Sequence, residues 1–332
     1  MNNQIPKHLQ EKKKHHYVWG NYLKSWALDG KKVWRRTESG KVDCYEISGI
    51  LHQKAFYKLT DLDPDHILIV RILFSNSHPT IKKMIDQFIN FSFKLRVIEN
   101  TVPNEILEEG ENKYILIAKS NTLENIYTDI EGNSQEILYA LKNQDLSILD
   151  NDKNMMNFII FIAHQMARTK SMKEHCIAYI NKNNPKLGSK MEECWWLIGY
   201  FLGHTFGGSI YESRKSDKHC LLINNTEEPF ITSDNPVINI HSATEDNNFT
   251  PLAYDEMDIY YPISPKIGYM INNSNTFGEG KVEVTLEMVK KLNEKIAKNA
   301  YTHIVGSTEQ IINTYKNNVG NWMKFEPVNY FV

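Results

Sequence analysis

Two apolar stretches, Met155–Ala163 and Cys194–Leu202, stand in a chain otherwise rich in lysine and asparagine. Both fall well short of the roughly 20 residues that a bilayer-spanning helix needs. They must therefore meet in the core of a soluble fold. The periodicity around them predicts helices over Asn154–Lys173 and Met191–His204, with Asn184-Pro185 and Gly188 breaking the chain between. The N-terminus is polar and basic (Lys7, Lys12, Lys13, Lys14) and lacks an apolar signal segment, so a cytoplasmic protein without membrane contact is expected.

The rest of the chain sorts around those helices. Val18, Tyr22, Leu23 and Trp26 recur at helical spacing and predict a short helix over His15–Trp26. Gly30 and Gly40 bracket a hairpin containing Val33 and Trp34, and Ala55–Leu59 ends this opening unit. Residues 62–120 read as an inserted segment with its own packing cluster. Leu123–Asn143 reads as a helix that Gly132 kinks or packs closely. The last third switches to short apolar strands, then a helix capped by Thr285, then a strand over Tyr301–Gly306. The sum is an α+β fold, a helical middle section packed with an antiparallel β-sheet. It forms one large domain over 15–305, with a flexible basic arm at 1–14 and a C-terminal extension at 306–332.

Charge narrows the partners. The 38 Lys+Arg against 40 Asp+Glu exclude a basic nucleic-acid coat protein but leave room for a locally charged site. Cys44, Cys176, Cys194 and Cys220 form no C-x-x-C pair, so a zinc ribbon or dithiol redox centre is not expected. No G-x-x-x-x-G-K-[ST], G-x-G-x-x-G or H-E-x-x-H occurs, and no nucleotide cofactor is expected. Gly203–Gly208 follows a helix and reads as a C-cap and loop.

Four constellations could carry chemistry. His15-His16-Tyr17 follows three lysines, and imidazole serves as general acid, base or metal ligand, though a solvated arm fits equally. Gln165 and Arg168, three apart, can address one ligand, or Arg168 can close an internal bridge to a carboxylate. Glu124 and Glu131 lie two helical turns apart: Glu124 suits a solvated surface, and Glu131, beside Ile130, a buried role. Thr232-Ser233-Asp234-Asn235-Pro236 is a polar turn between strands that either presents Asp234 to a centre or hydrogen-bonds its own backbone.

Together these patches resemble one family, the bacterial domain of unknown function numbered 4238. The likeness rests on His15, His16, Tyr17, Val18, Tyr22 and Leu23, on Phe56-Tyr57, on Glu124 and Glu131, and on Gln165-x-x-Arg168-Thr169. It continues through Thr232–Pro236, Pro262–Pro265 and Leu292-Asn293, and covers about 15–305 apart from much of 62–120. Trp19 stands where the family usually has proline. The resemblance carries no settled activity. It implies that polar residues on separate segments share a pocket or a buried network.

The leading expectation is a phosphodiester hydrolase, a nuclease-like effector of a bacterial stress or anti-phage system. His15 or His16 would act as acid or base, Arg168 would stabilise phosphoryl charge, and Asp234 would be the fourth catalytic residue. Tyr17, Gln165, Ser233 and Asn235 would hold substrate, and Glu131 with Asp234 would hold Mg²⁺ or Mn²⁺. A nucleic acid or nucleotide would be the substrate, and a homo-oligomer is compatible. The alternative is a non-catalytic binding or sensor module whose polar motifs are buried structural bridges. An Arg168 saturated by a glutamate in a closed core discriminates in favour of the module.

Overall fold

The computed structural model describes residues 10–101, 111–244, 256–274 and 276–320. Residues 1–9 of the expected arm and 321–332 of the expected extension lie outside them. The chain opens with β1 (Lys14–His16), α1 (Gly20–Leu23) and a 3-10 turn over Lys24–Trp26. It continues through β2 (Lys32–Arg36), β3 (Val42–Glu46) and β4 (His52–Lys54). His15 and His16 therefore lie on a strand and not at a helix start. Pairing of β1 with β4 overrides the local helical spacing, which survives only from Gly20 onward.

The helical middle comprises α2 (Pro64–Leu73), α3 (Pro79–Thr101), α4 (Glu111–Lys142), α5 (Asp152–Ala167), α6 (Lys170–Asn183), α7 (Pro185–Glu193) and α8 (Trp195–Ser213). One expected helix is split in two. Thr169 accepts the Met172 N–H at 3.1 Å and starts α6, which leaves Arg168 at the junction as the C-cap of α5. Residues 62–120 do not pack apart: Val70, Phe74, Ile85, Ile89 and Leu95 join the same core as Phe158 and Phe201. The glycine run after Leu202 is not a loop, because α8 continues through it. A Cβ on Gly203 would run into the His164 ring, and one on Gly207 would meet Ile160 Cδ1 at 2.6 Å, so these glycines let α8 approach α5 closely.

The last third holds β5 (Lys218–Ile223), β6 (Thr232–Ser233), β7 (Ile238–Asn239), β8 (Asp258–Ser264), β9 (Ile267–Asn272) and β10 (Gly280–Glu283). After these come α9 (Leu286–Asn299), β11 (Ile304–Gly306) and α10 (Glu309–Tyr315). A five-stranded sheet runs β10-β5-β9-β8-β7 and a four-stranded one β3-β2-β11-β6, while β1 and β4 form a separate ribbon. All pairings are antiparallel except β5 with β10, which is parallel.

The five-stranded sheet is buried on both faces, as its period of two requires. Leu221, Ile223, Ile259, Tyr261, Tyr269 and Ile271 face the helical core. Cys220, Leu222, Tyr260 and Met270 face a second core with Val289, Leu292 and Ile296 of α9. Ile311, Ile312 and Tyr315 of α10 complete that second core, so residues just past 305 are structural. Among the described residues no helix is long and apolar enough to cross a membrane.

Candidate functional site

The incoming chain is fastened along α4. Asn121 accepts the Lys12 N–H at 2.8 Å and donates to the Gln10 carbonyl, and the Lys12 ammonium reaches Asn125 at 2.8 Å. On β1 the next residues alternate. His15 points inward, stacks on Tyr57 at 5.6 Å and is fully buried. Its Nδ1 accepts the Tyr57 N–H at 2.8 Å, so its Nε2 carries the proton and donates to the Lys12 carbonyl at 3.0 Å. Burial lowers its pKa and keeps the ring neutral. Both nitrogens are committed to backbone, which leaves neither a proton for a substrate nor a lone pair for a metal.

His16 turns to the opposite side and meets His52 edge-on at 5.4 Å. Burial, then the neighbouring His52, Arg168 and Lys14, push its pKa down to about 4. Its carbonyl accepts from the Tyr57 hydroxyl at 3.2 Å, and that hydroxyl also lies 3.2 Å from the Arg168 carbonyl.

Arg168 anchors the centre of the cluster. Its side chain is 1% exposed, its Nη2 donates to Glu131 Oε1 at 2.5 Å, and its guanidinium lies 5.0 Å from the centre of the Tyr127 ring. Burial lowers its pKa, but Glu131, Tyr57 and Tyr127 more than offset this and raise it above the ordinary arginine value. Burial raises the Glu131 pKa and Arg168 draws it back. Glu124 is no solvated surface residue. Burial pushes its pKa up to about 7 against the pull of Arg168. Gln165 is 1% exposed, and neither of its amide atoms finds a hydrogen-bond partner among the described residues.

The turn residues stand elsewhere. Asp234 Oδ1 accepts the Tyr301 N–H at 2.8 Å, and Oδ2 accepts from Thr302 N at 2.7 Å, Thr302 Oγ1 at 3.0 Å and His303 N at 2.8 Å. The Ser233 hydroxyl donates to the Asn235 carbonyl and accepts the Asn235 N–H, while the Asn235 amide donates to the Asn299 carbonyl. The motif is a clamp that ties β6 to the loop leading into β11. Tyr17 is buried against Phe56 at 5.9 Å, and burial together with nearby Asp234 raises its pKa.

The structure thus gathers His16, Glu124, Glu131 and Arg168, buries Gln165 three residues before Arg168 on α5, and leaves Asp234, Ser233 and Asn235 to a separate structural task. Glu131 and Asp234 serve different partners, and no three His, Cys, Asp or Glu side chains converge as a metal site among the described residues. Sequence reasoning missed Tyr127, although its spacing of three from Glu124 and four from Glu131 puts it on their face of α4. It also missed His52, for which no local signal existed.

Farther along α4 a groove of about 640 Å³ opens beside Trp19, Tyr22, Lys24, Gln135, Tyr139 and Lys142. Arg168 and Gln165 do not line it.

The sequence model of the family described as "Protein of unknown function (DUF4238)" matches residues 14–194 and 205–310. The chain belongs to the DUF4238 family. The match runs unbroken through 62–120, in keeping with the shared core there. The patches that carry the DUF4238 likeness are those just described: the His15 pin, the Arg168–Glu131 pair and the Asp234 clamp. No curated protein and no solved structure matches the chain.

Proposed function

We propose that the chain is a non-catalytic binding module in which the DUF4238 motifs are internal bridges. The observation that carries this reading is the closed state of Arg168. A guanidinium that stabilises charge on a transferring phosphoryl group must meet that group, whereas here it is 1% exposed and ion-paired with Glu131, although its Nε finds no hydrogen-bond partner among the described residues. The saturation of His15 by two backbone groups and of Asp234 by four donors supports the same reading.

One observation favours phosphodiester hydrolysis as a second reading. Glu124, with a pKa of about 7 and beside His16, has the protonation balance of a general acid or base at neutral pH. Incubating wild type, His16→Ala and Glu124→Gln with RNA, DNA and nucleotides, with and without Mg²⁺ or Mn²⁺, separates the two. The module reading expects no turnover by any of them. Turnover by wild type that both substitutions abolish overturns it.

A further inference from the structure

The β1–β4 ribbon carries a charge pattern that folding alone disfavours. In its register Lys14 stands opposite Lys54, and His16 opposite His52. Residues directly opposite in an antiparallel pair project to the same face, as do residues two apart along a strand. All four side chains therefore share one face, while His15 and Gln53 take the other. Like charges directly opposite destabilise a strand pair.

The surroundings leave this charge unmatched. Lys13 pairs with Glu11, Lys119 with Asp61 and Glu99, Lys173 with Glu192, and Lys190 with Asp63 and Glu193. Lys14 and Lys54 are exposed, and neither has such a carboxylate partner among the described residues. Lys14 acts electrostatically on both His16 and His52, and Arg168 adds to the positive field at His16 from within. His52 Nδ1 is buried without a hydrogen-bond partner among the described residues. In a chain with a net charge of -2, two ammonium groups thus stand opposite each other, beside imidazoles whose pKa burial lowers.

We propose that this face binds the phosphate backbone of a nucleic-acid strand. The inference builds on the binding-module reading and names its partner. The two ammonium groups straddle one phosphate. Asn125 holds the Lys12 ammonium and Glu11 pairs with Lys13, so Lys14 and Lys54 supply the charge that a backbone phosphate meets.

The test is fluorescence anisotropy of the full chain with a labelled mixed-sequence RNA oligonucleotide and the corresponding DNA duplex, over a salt series. Lys14→Glu combined with Lys54→Glu should weaken binding at least about tenfold at low salt. It should also flatten the plot of log affinity against log salt by about 0.7 to 0.9, the value for the one phosphate contact that the two ammonium groups share. Lys14→Arg with Lys54→Arg should restore both, and Lys186→Glu on α7 should change neither. A folded charge-reversed variant with wild-type affinity and slope overturns the proposal, as does a wild type that binds neither probe. Degradation of a probe, lost on charge reversal, would overturn the non-catalytic reading and leave the binding face standing.

Discussion

Arg168 Nη2 lies 2.5 Å from Glu131 Oε1, and the two side chains are 1% and 12% exposed. This pair joins the end of α5 to the middle of α4 and brings Tyr57 and Tyr127 around one charge. Its geometry, more than any motif, governs how the polar residues of this family are to be understood.

Removing one partner strands the other. Glu131→Ala should destabilise the fold by about 3–5 kcal/mol, because an uncompensated guanidinium remains buried. The double replacement Glu131→Leu with Arg168→Met should recover most of that loss. Urea unfolding of the three variants checks it, and a double variant no more stable than Glu131→Ala would show that the pair does not act as a unit.

Stability should respond to pH through two opposed groups. The folded-state pKa of Glu124 is raised to about 7, so its contribution is full below the ordinary carboxyl range, near 4.5, and is lost as pH rises through about 7. His16 is depressed to about 4, so the unfolded chain binds the extra proton, and stability rises with pH between about 4 and 6.5. Glu124→Gln should expose the rising limb and His16→Gln the falling one. Thermal melts across this range that give parallel profiles for the two variants would contradict the assignment.

Asp234 holds four donors, three of them backbone amides. Asp234→Ala should cost at least about 3 kcal/mol, since each orphaned buried donor carries a penalty of about 1–3 kcal/mol. Asp234→Asn keeps one acceptor oxygen and should cost less. Denaturant midpoints rank the two, and equal losses would mean that the carboxylate charge matters more than its hydrogen bonds.

Glycines in neighbouring helices should behave oppositely. Gly203→Ala would drive a methyl into the buried His164 ring and should destabilise by about 1–3 kcal/mol, despite the better helix propensity of alanine. Gly132→Ala on α4 meets nothing within 4 Å and should stabilise by up to about 1 kcal/mol. Calorimetric melting temperatures moving in the same direction for both would refute the packing argument.

Much of this architecture was legible from local pattern. The apolar runs at Met155–Ala163 and Cys194–Leu202 became α5 and α8, the Thr285 cap begins α9, and the short apolar runs in the last third became a sheet buried on two faces. Thr169 also carried a readable signal, since a threonine before a polar helix is a common N-cap, yet the strong apolar periodicity behind it masked the break. The segment 62–120 looked separate in composition and proved continuous in packing, because its apolar stripe found the same core.

The site was less legible, for a physical reason. Period and capping depend on residues a few positions apart, so the sequence by itself determined the apolar core helices, most of the strands and the α+β class. Whether a polar residue is a bridge or a reactive group depends on partners far away in the chain. Tyr57 meets His15 across 42 positions, Arg168 meets Glu131 across 37, and Asp234 meets its amides across 67 to 69. Only the tertiary structure decided those partnerships, because burial sets the cost of each unpaired polar group and folding alone settles which groups are buried together.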